Sequence, residues 1–110
     1  MKKDQHNNYI LLTPVATDII EVNKLLLRKM MEWQEDNVIL NLLAFTNLTV
    51  EEVSILIPVS SKHRDLSKSF VIVNEAITYD KAPEELEIVP TLGEAIDTIE
   101  MDEITRDLGF

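Results

Sequence analysis

The chain has 110 residues and a formal net charge of −10, with 45% hydrophobic residues and no cysteine. Without cysteine there can be no disulfide, zinc–thiolate site or thiol nucleophile, and the negative charge disfavours nucleic acids and anionic membranes as partners. No apolar run approaches the ~20 residues of a membrane span. We therefore expect one globular domain, residues 1–110, in the cytoplasm.

The first predicted elements are a short strand and an amphipathic helix. The strand, residues 9–13, ends at Pro14, which cannot donate to a sheet ladder. Asp18 and Glu21 have the spacing of a helix cap, and helical periodicity then continues to about Glu35. The predicted core face comprises Ile19, Val22, Leu26, Met30 and Trp33, widened by Leu27 and Met31. An unpaired edge on the first strand would allow a homodimer.

Residues 37–74 predict a β-α-β unit. The runs at residues 38–43 and 70–73 are almost continuously apolar, which is typical of parallel strands covered on both faces. Between them, Thr49 and Glu52 have the spacing of a capping box, so a helix should begin there.

The end of this second helix is marked by a proline and a basic cluster. Pro58 should kink the helix or end its regular part near Ile57. Three cations follow at residues 62–64, where we expect a looser turn, and they suit a helix carboxyl terminus. With a fourth, they form the one basic patch of the chain: Lys62, His63, Arg64 and Lys68. The patch could bind an anion or a phosphorylated partner, or it could simply be solvated charge.

The last third of the chain is acidic, since residues 80–110 carry ten acids and two bases. A polar turn at residues 79–86 precedes a brief strand at residues 87–89, and Thr91 begins the final helix. The residues expected to bury this helix are Leu92, Ala95, Ile96 and Ile99, with Ile104 and Leu108 as further anchors. The predicted order is β-α-β-α-β-β-α, an α/β fold with a four-stranded, mostly parallel sheet.

Residues 37–99 resemble the STAS domain of anti-sigma-factor antagonists and sulfate transporters. In that family a buried strand leads through a loop into a helix that begins with Asp-Ser-Ser-Gly, and the last helix opens with Pro-Thr-x-x-Glu-Ala. Here VILNLLAFTNLTVEEVSIL resembles the first part, SFVIVN the next strand, and PTLGEA at residues 90–95 the last motif. The resemblance implies a STAS-like fold and a regulatory, protein-binding role without a cofactor.

The phosphoacceptor motif of the family is replaced in this chain. The Asp-Ser-Ser-Gly positions fall on residues 49–52, so Glu51 stands where the family has its phosphorylated serine. Thr49 is the nearest hydroxyl, and a helix cap accounts for it more simply than phosphorylation does. The resemblance places partner binding on the loop and helix start, facing an anti-sigma factor, a kinase or another basic surface. The predicted partner-binding residues are Thr46, Asn47, Thr49, Val50, Glu51 and Glu52.

Two alternatives to a binding module can be weighed. Short STAS-like chains with an acidic last helix and a Leu-Gly-Phe terminus also resemble this sequence, and some carry the label ribonuclease Z. That nuclease needs two metals held by several histidines, whereas this chain has only His6 and His63. The chain could therefore be an accessory subunit or neighbour of a nucleic-acid-processing enzyme but not the nuclease itself. No nucleophile–base motif or glycine-rich phosphate loop supports an enzyme of another kind.

Overall fold

The computed structural model describes residues 1–109, and within them the chain forms a mixed five-stranded sheet and four helices, an α/β arrangement. The strands are β1 (Lys2–Gln5), β2 (Ile10–Thr13), β3 (Val38–Asn41), β4 (Phe70–Val73) and β5 (Glu87–Val89). The helices are α1 (Ile19–Trp33), α2 (Val50–Ser54), α3 (Ile57–Arg64) and α4 (Leu92–Asp107). None of these helices is long and apolar enough to cross a membrane. Phe110, which ends the Leu-Gly-Phe motif, lies outside the described residues.

The strands lie in the sheet in the order in which they occur in the chain. β2 to β5 are parallel to one another, in a register that aligns Leu12, Leu40, Ile72 and Ile88. β1 is the addition that the sequence did not predict, and it pairs antiparallel with β2. Three of its four residues, Lys2, Lys3 and Gln5, are exposed, so no hydrophobic pattern in the sequence predicts this strand.

This extra strand removes the proposed route to a homodimer. The first predicted strand was expected to have an unpaired edge, but β2 is bonded to β1 on one side and to β3 on the other. Unpaired edges of the described sheet belong instead to β1, which is charged, and to the three-residue β5. Short and charged edge strands resist edge-to-edge pairing.

The sheet separates two apolar layers. On one face, α1, α2 and α3 bury the row of Leu12, Leu40 and Ile72. On the other face, α4 packs Ala95 and Ile99 against a second set of side chains that includes Ile39, Val71 and Val73. Because β3 and β4 are covered on both sides, all their apolar residues are buried, as the continuous apolar runs predicted.

Helix α1 begins and ends close to its predicted limits. The Asp18 carboxylate accepts a hydrogen bond from the Glu21 amide at 2.9 Å, which confirms the predicted cap. Trp33 is 2% exposed, so its predicted core position is also confirmed. The predicted widening of the core face is wrong, because Leu27 is 48% and Met31 81% exposed. At 3.6 residues per turn, these two residues lie on the helix surface beside the buried stripe and face solvent.

The segment after β3 is two helices rather than one kinked helix. Thr49 caps α2 and makes the predicted capping box with Glu52. Regular helix ends at Ser54, and α3 then begins at Ile57 with Pro58 in its first turn, where a missing amide costs no hydrogen bond. The stretch at residues 62–64 was expected to be a loose turn but forms the last turn of α3.

Helix α4 is anchored differently from the prediction. Ala95 and Ile99 are buried, but the two further anchors are exposed, Ile104 by 58% and Leu108 by 65%. The second half of α4 extends past the apolar rows to the edge where the parallel strands begin, the amino edge. Its neighbours there are Asn37 and Ser69, so polar side chains make the contacts.

Candidate functional site: the carboxyl edge of the sheet

The loops that follow β2, β3, β4 and β5 meet at the edge where the parallel strands end, here called the carboxyl edge. In open α/β sheets ligands commonly bind outside the carboxyl ends of the strands, where loops converge. The four segments are residues 14–18, residues 42–52 with the first turn of α2, residues 74–79 as the first part of the 74–86 connection, and residues 90–94 with the first turn of α4. The predicted partner-binding loop is the second of them, so its place on this edge follows from the parallel sheet.

A groove of about 360 Å³ separates the loop after β2 from the loop after β3. One wall is formed by residues 14–17, and the other by residues 44–48 with Glu52. Val15 is 77% exposed at the rim, and Phe45 is half-buried within it. A second depression of about 260 Å³ adjoins the first, shares Phe45 and Thr46 with it, and reaches Glu75 on the loop after β4. The two form one recess across three loops.

The predicted binding residues divide into two groups in the structure. Thr46, Asn47 and Glu52 line the groove. Thr49 and Glu51 are exposed beside it, whereas Val50 is half-buried and packs against the core. Sequence reasoning missed the facing wall at residues 14–17, because nothing in a Pro-Val-Ala-Thr stretch distinguishes a groove wall from an ordinary connection.

The capping box fixes the start of α2. Glu52 N donates to Thr49 Oγ1 at 3.1 Å, while Glu52 Oε1 accepts from Thr49 N at 3.0 Å and from Thr49 Oγ1 at 3.1 Å. The Thr49 hydroxyl is thus used both as donor and as acceptor. A phosphate on this oxygen would abolish the donated bond and place its charge against the Glu52 carboxylate.

Removing the cap should measurably weaken the fold. We expect Thr49→Ala to lower the free energy of unfolding by about 1 kcal/mol, because the Glu52 amide loses its acceptor. Urea unfolding followed by Trp33 fluorescence measures this change. Thr46→Ala, an exposed threonine three residues earlier, is the matched control and should change stability little. Equal losses in the two variants would mean that the cap contributes nothing specific.

Asn74 holds the recess together and was not predicted. It is 1% exposed and directly follows β4. Its Nδ2 donates to Leu42 O at 2.8 Å and Phe45 O at 3.0 Å, and its Oδ1 accepts from Ala76 N at 2.8 Å and Ile77 N at 3.2 Å. One side chain therefore joins the loop after β3 to the loop after β4. A polar residue immediately after the apolar run FVIV was the available signal.

The basic cluster is not a four-residue surface patch. His63 is fully buried, and its Nε2 lies 2.7 Å from Asp36 O. Burial away from water lowers the pKa of His63 below its usual value, since it disfavours the charged ring. Arg64 is also engaged, donating to Glu85 O at 2.9 Å. The expectation that His63 adds a surface cation is wrong, because its helix face packs against Trp33 and Phe70.

Among the described residues, no group of three or more His, Asp or Glu side chains is arranged to hold a metal ion. Comparison of the chain with protein-family models and with curated proteins found no match.

Proposed function

We propose that this chain is a non-catalytic protein-interaction module of the STAS type, which binds a basic surface of a partner through the carboxyl edge. Regulation would work by occupancy of the partner, as an anti-sigma-factor antagonist does, rather than by turnover. With Glu51 at the usual phosphoacceptor position, the module would carry a constant negative charge there instead of a switch.

The observation that carries this proposal is the charge of the carboxyl edge. The four segments contain five exposed carboxylates and no Lys, Arg or His, and Lys81 lies in the rest of the 74–86 connection. The carboxylates belong to Asp18, Glu51, Glu52, Glu75 and Glu94. Two of them, Glu52 and Glu75, line the recess itself, whose other wall residues are apolar or neutral. This distribution favours a partner with basic side chains and opposes nucleic acid.

The order of elements also supports the proposal. β3 leads through the loop into α2, β4 follows, and Thr91 caps a last helix that opens with the Pro-Thr-x-x-Glu-Ala pattern. This is the order that the STAS resemblance implies for residues 37–99. Hydrogen bonds of Asn74 and of the capping box hold the loop in place, so little conformational entropy need be lost on binding.

Glu51 provides the sharpest test, because it is exposed while Glu52 is committed to the capping box. Glu51→Lys reverses the charge without removing the cap. We expect it to weaken partner binding about fivefold, mostly through a slower association rate, and the wild-type affinity to fall between about 50 mM and about 300 mM salt. The partner would be identified by affinity capture from the native host at low salt and mass spectrometry, and binding would then be measured with the purified pair.

Glu35→Lys is the matched control. Glu35 is exposed after the end of α1, at the opposite edge of the sheet, and the substitution changes net charge by the same amount. Binding that survives Glu35→Lys but not Glu51→Lys would support the carboxyl edge. Equal effects of the two variants, or affinity insensitive to salt, would contradict it.

A further inference from the structure

The second half of α4, together with its carboxyl cap Leu108, carries an apolar row on its outer side. Met101, Ile104 and Leu108 are 67%, 58% and 65% exposed. Their spacing of three and four residues aligns them along one side of the helix, here called the outer stripe. Single exposed apolar residues are ordinary, but three in register form a contiguous strip.

The inner side of the same turns is polar and fully used. Ser69 Oγ donates to Asp102 Oδ2 at 2.6 Å and accepts from Arg106 Nη2 at 2.7 Å. Asn37 Nδ2 donates a hydrogen bond to Glu103 Oε1. Arg106 Nη1 lies 3.9 Å from the same carboxylate oxygen. These turns therefore have polar groups toward the sheet and apolar groups toward solvent. Within residues 1–109, no other part of the fold covers the outer stripe.

Charge decides which partner suits this stripe. Asp97, Glu100 and Asp107 are exposed along its length, and the one base of α4, Arg106, is turned to the amino edge. Two copies paired through α4 would bring acidic rim against acidic rim, which is repulsive. A helix with lysine or arginine beside its apolar row would complement both the stripe and the rim.

We propose that the outer stripe of α4 docks an amphipathic basic helix from another protein. The partner helix would pack lengthwise on Met101, Ile104 and Leu108, with its cations against the acidic rim. This surface lies on a different part of the molecule from the carboxyl-edge recess, so the inference does not depend on the function proposed above.

A defined peptide can test the stripe directly. The probe is a fluorescein-labelled, end-capped helix of Leu and Lys about four turns long, and its counterpart has Glu in place of Lys. Anisotropy titration should give saturable, salt-sensitive binding of the Lys peptide and none of the Glu peptide. Met101→Gln/Ile104→Gln/Leu108→Gln should weaken binding at least about fivefold, since it removes the apolar anchors. Glutamine favours helix, so circular dichroism should be unchanged.

Helix α1 offers a matched control. Its exposed apolar residues Ile20, Leu27 and Met31 are also aligned, but cations such as Lys24, which pairs with Glu21 at 3.6 Å, interrupt the acidic charge there. Ile20→Gln/Leu27→Gln/Met31→Gln should therefore bind the Lys peptide as the wild type does. Absent binding, or equal loss in both triple variants, would overturn the proposal. So would a wild-type dimer in sedimentation that the α4 variant abolishes, because a second copy would then occupy the stripe.

Discussion

Replacing Asn74 with alanine should destabilise the fold by about 3 kcal/mol, because an unpaired buried polar group costs about 1 to 3 kcal/mol and several would be left. The side chain makes four hydrogen bonds to the backbone, at Leu42, Phe45, Ala76 and Ile77. Alanine cannot replace any of them. Urea unfolding measures the loss, and amide exchange at Ala76 and Ile77 should accelerate beyond what the global change explains.

Two further variants separate the clamp from simple truncation. Asn41→Ala removes one hydrogen bond, which Asn41 Oδ1 accepts from Leu43 N at 3.1 Å. It should lower the free energy of unfolding much less than Asn74→Ala does. Asn74→Asp keeps the acceptor for Ala76 and Ile77 but turns a carboxylate toward the two carbonyl oxygens, so it should be no better than alanine. A loss for Asn74→Ala as small as that for Asn41→Ala would mean that water replaces the side chain and that the loops do not depend on it.

The clamp also connects stability with the proposed function. The recess is shared by loops after β2, β3 and β4, and Asn74 fixes two of the three. Because preorganised loops favour binding, Asn74→Ala should lower the affinity for the partner even at temperatures where the protein stays folded.

The sequence predicted those features whose interacting residues lie close together along the chain. The caps at Asp18, Thr49 and Thr91 involve residues three positions apart, and all three form. The buried strands β3 and β4 are evident because both faces are covered. β1 was not predicted because its residues are polar and it joins the sheet through backbone pairing with β2.

Tertiary neighbours explain the remaining differences. Helical periodicity predicted Ile104 and Leu108 as core anchors. The last turns of α4 instead extend beyond the apolar side chains of the sheet, and they contact Asn37 and Ser69. The loop of the candidate site could be placed on the carboxyl edge from the β-α-β pattern alone. Its facing wall and its clamp could not, since both depend on chain segments about 30 residues away in sequence.

The buried histidine should make stability depend on pH. His63 Nε2 faces a carbonyl oxygen, Asp36 O, which can only accept, so this nitrogen carries the proton. Nδ1 is then the unprotonated atom, and it is buried without a hydrogen-bond partner within residues 1–109. The imidazole ring packs against the rings of Trp33 and Phe70, whose centroids lie 5.0 and 6.0 Å from its own centroid. A proton on Nδ1 would place an uncompensated charge among them.

Burial is the main cause of the lowered pKa of His63, and the charges of Lys68 and Arg106 act in the same direction. The hydrogen bond to Asp36 O and the Asp36 carboxylate oppose them without cancelling them. In the unfolded chain the pKa lies near 6.5. Below that pH, His63 binds a proton in the unfolded state but not in the folded state, so the free energy of unfolding falls as pH falls. Above that pH, His63 is neutral in both states and contributes no pH dependence.

We therefore expect the wild type to lose stability between about pH 7.5 and about pH 5.5, with a slope from His63 that approaches but cannot exceed about 1.4 kcal/mol per pH unit. Urea unfolding across this range measures it. His63→Gln keeps a donor for Asp36 O but does not titrate, so it should be less stable at neutral pH and nearly flat across the window. His6→Gln is the matched control, because His6 is exposed and stacks on Tyr9. It should retain the wild-type slope; a slope that survives in His63→Gln would assign the dependence to the carboxylates instead.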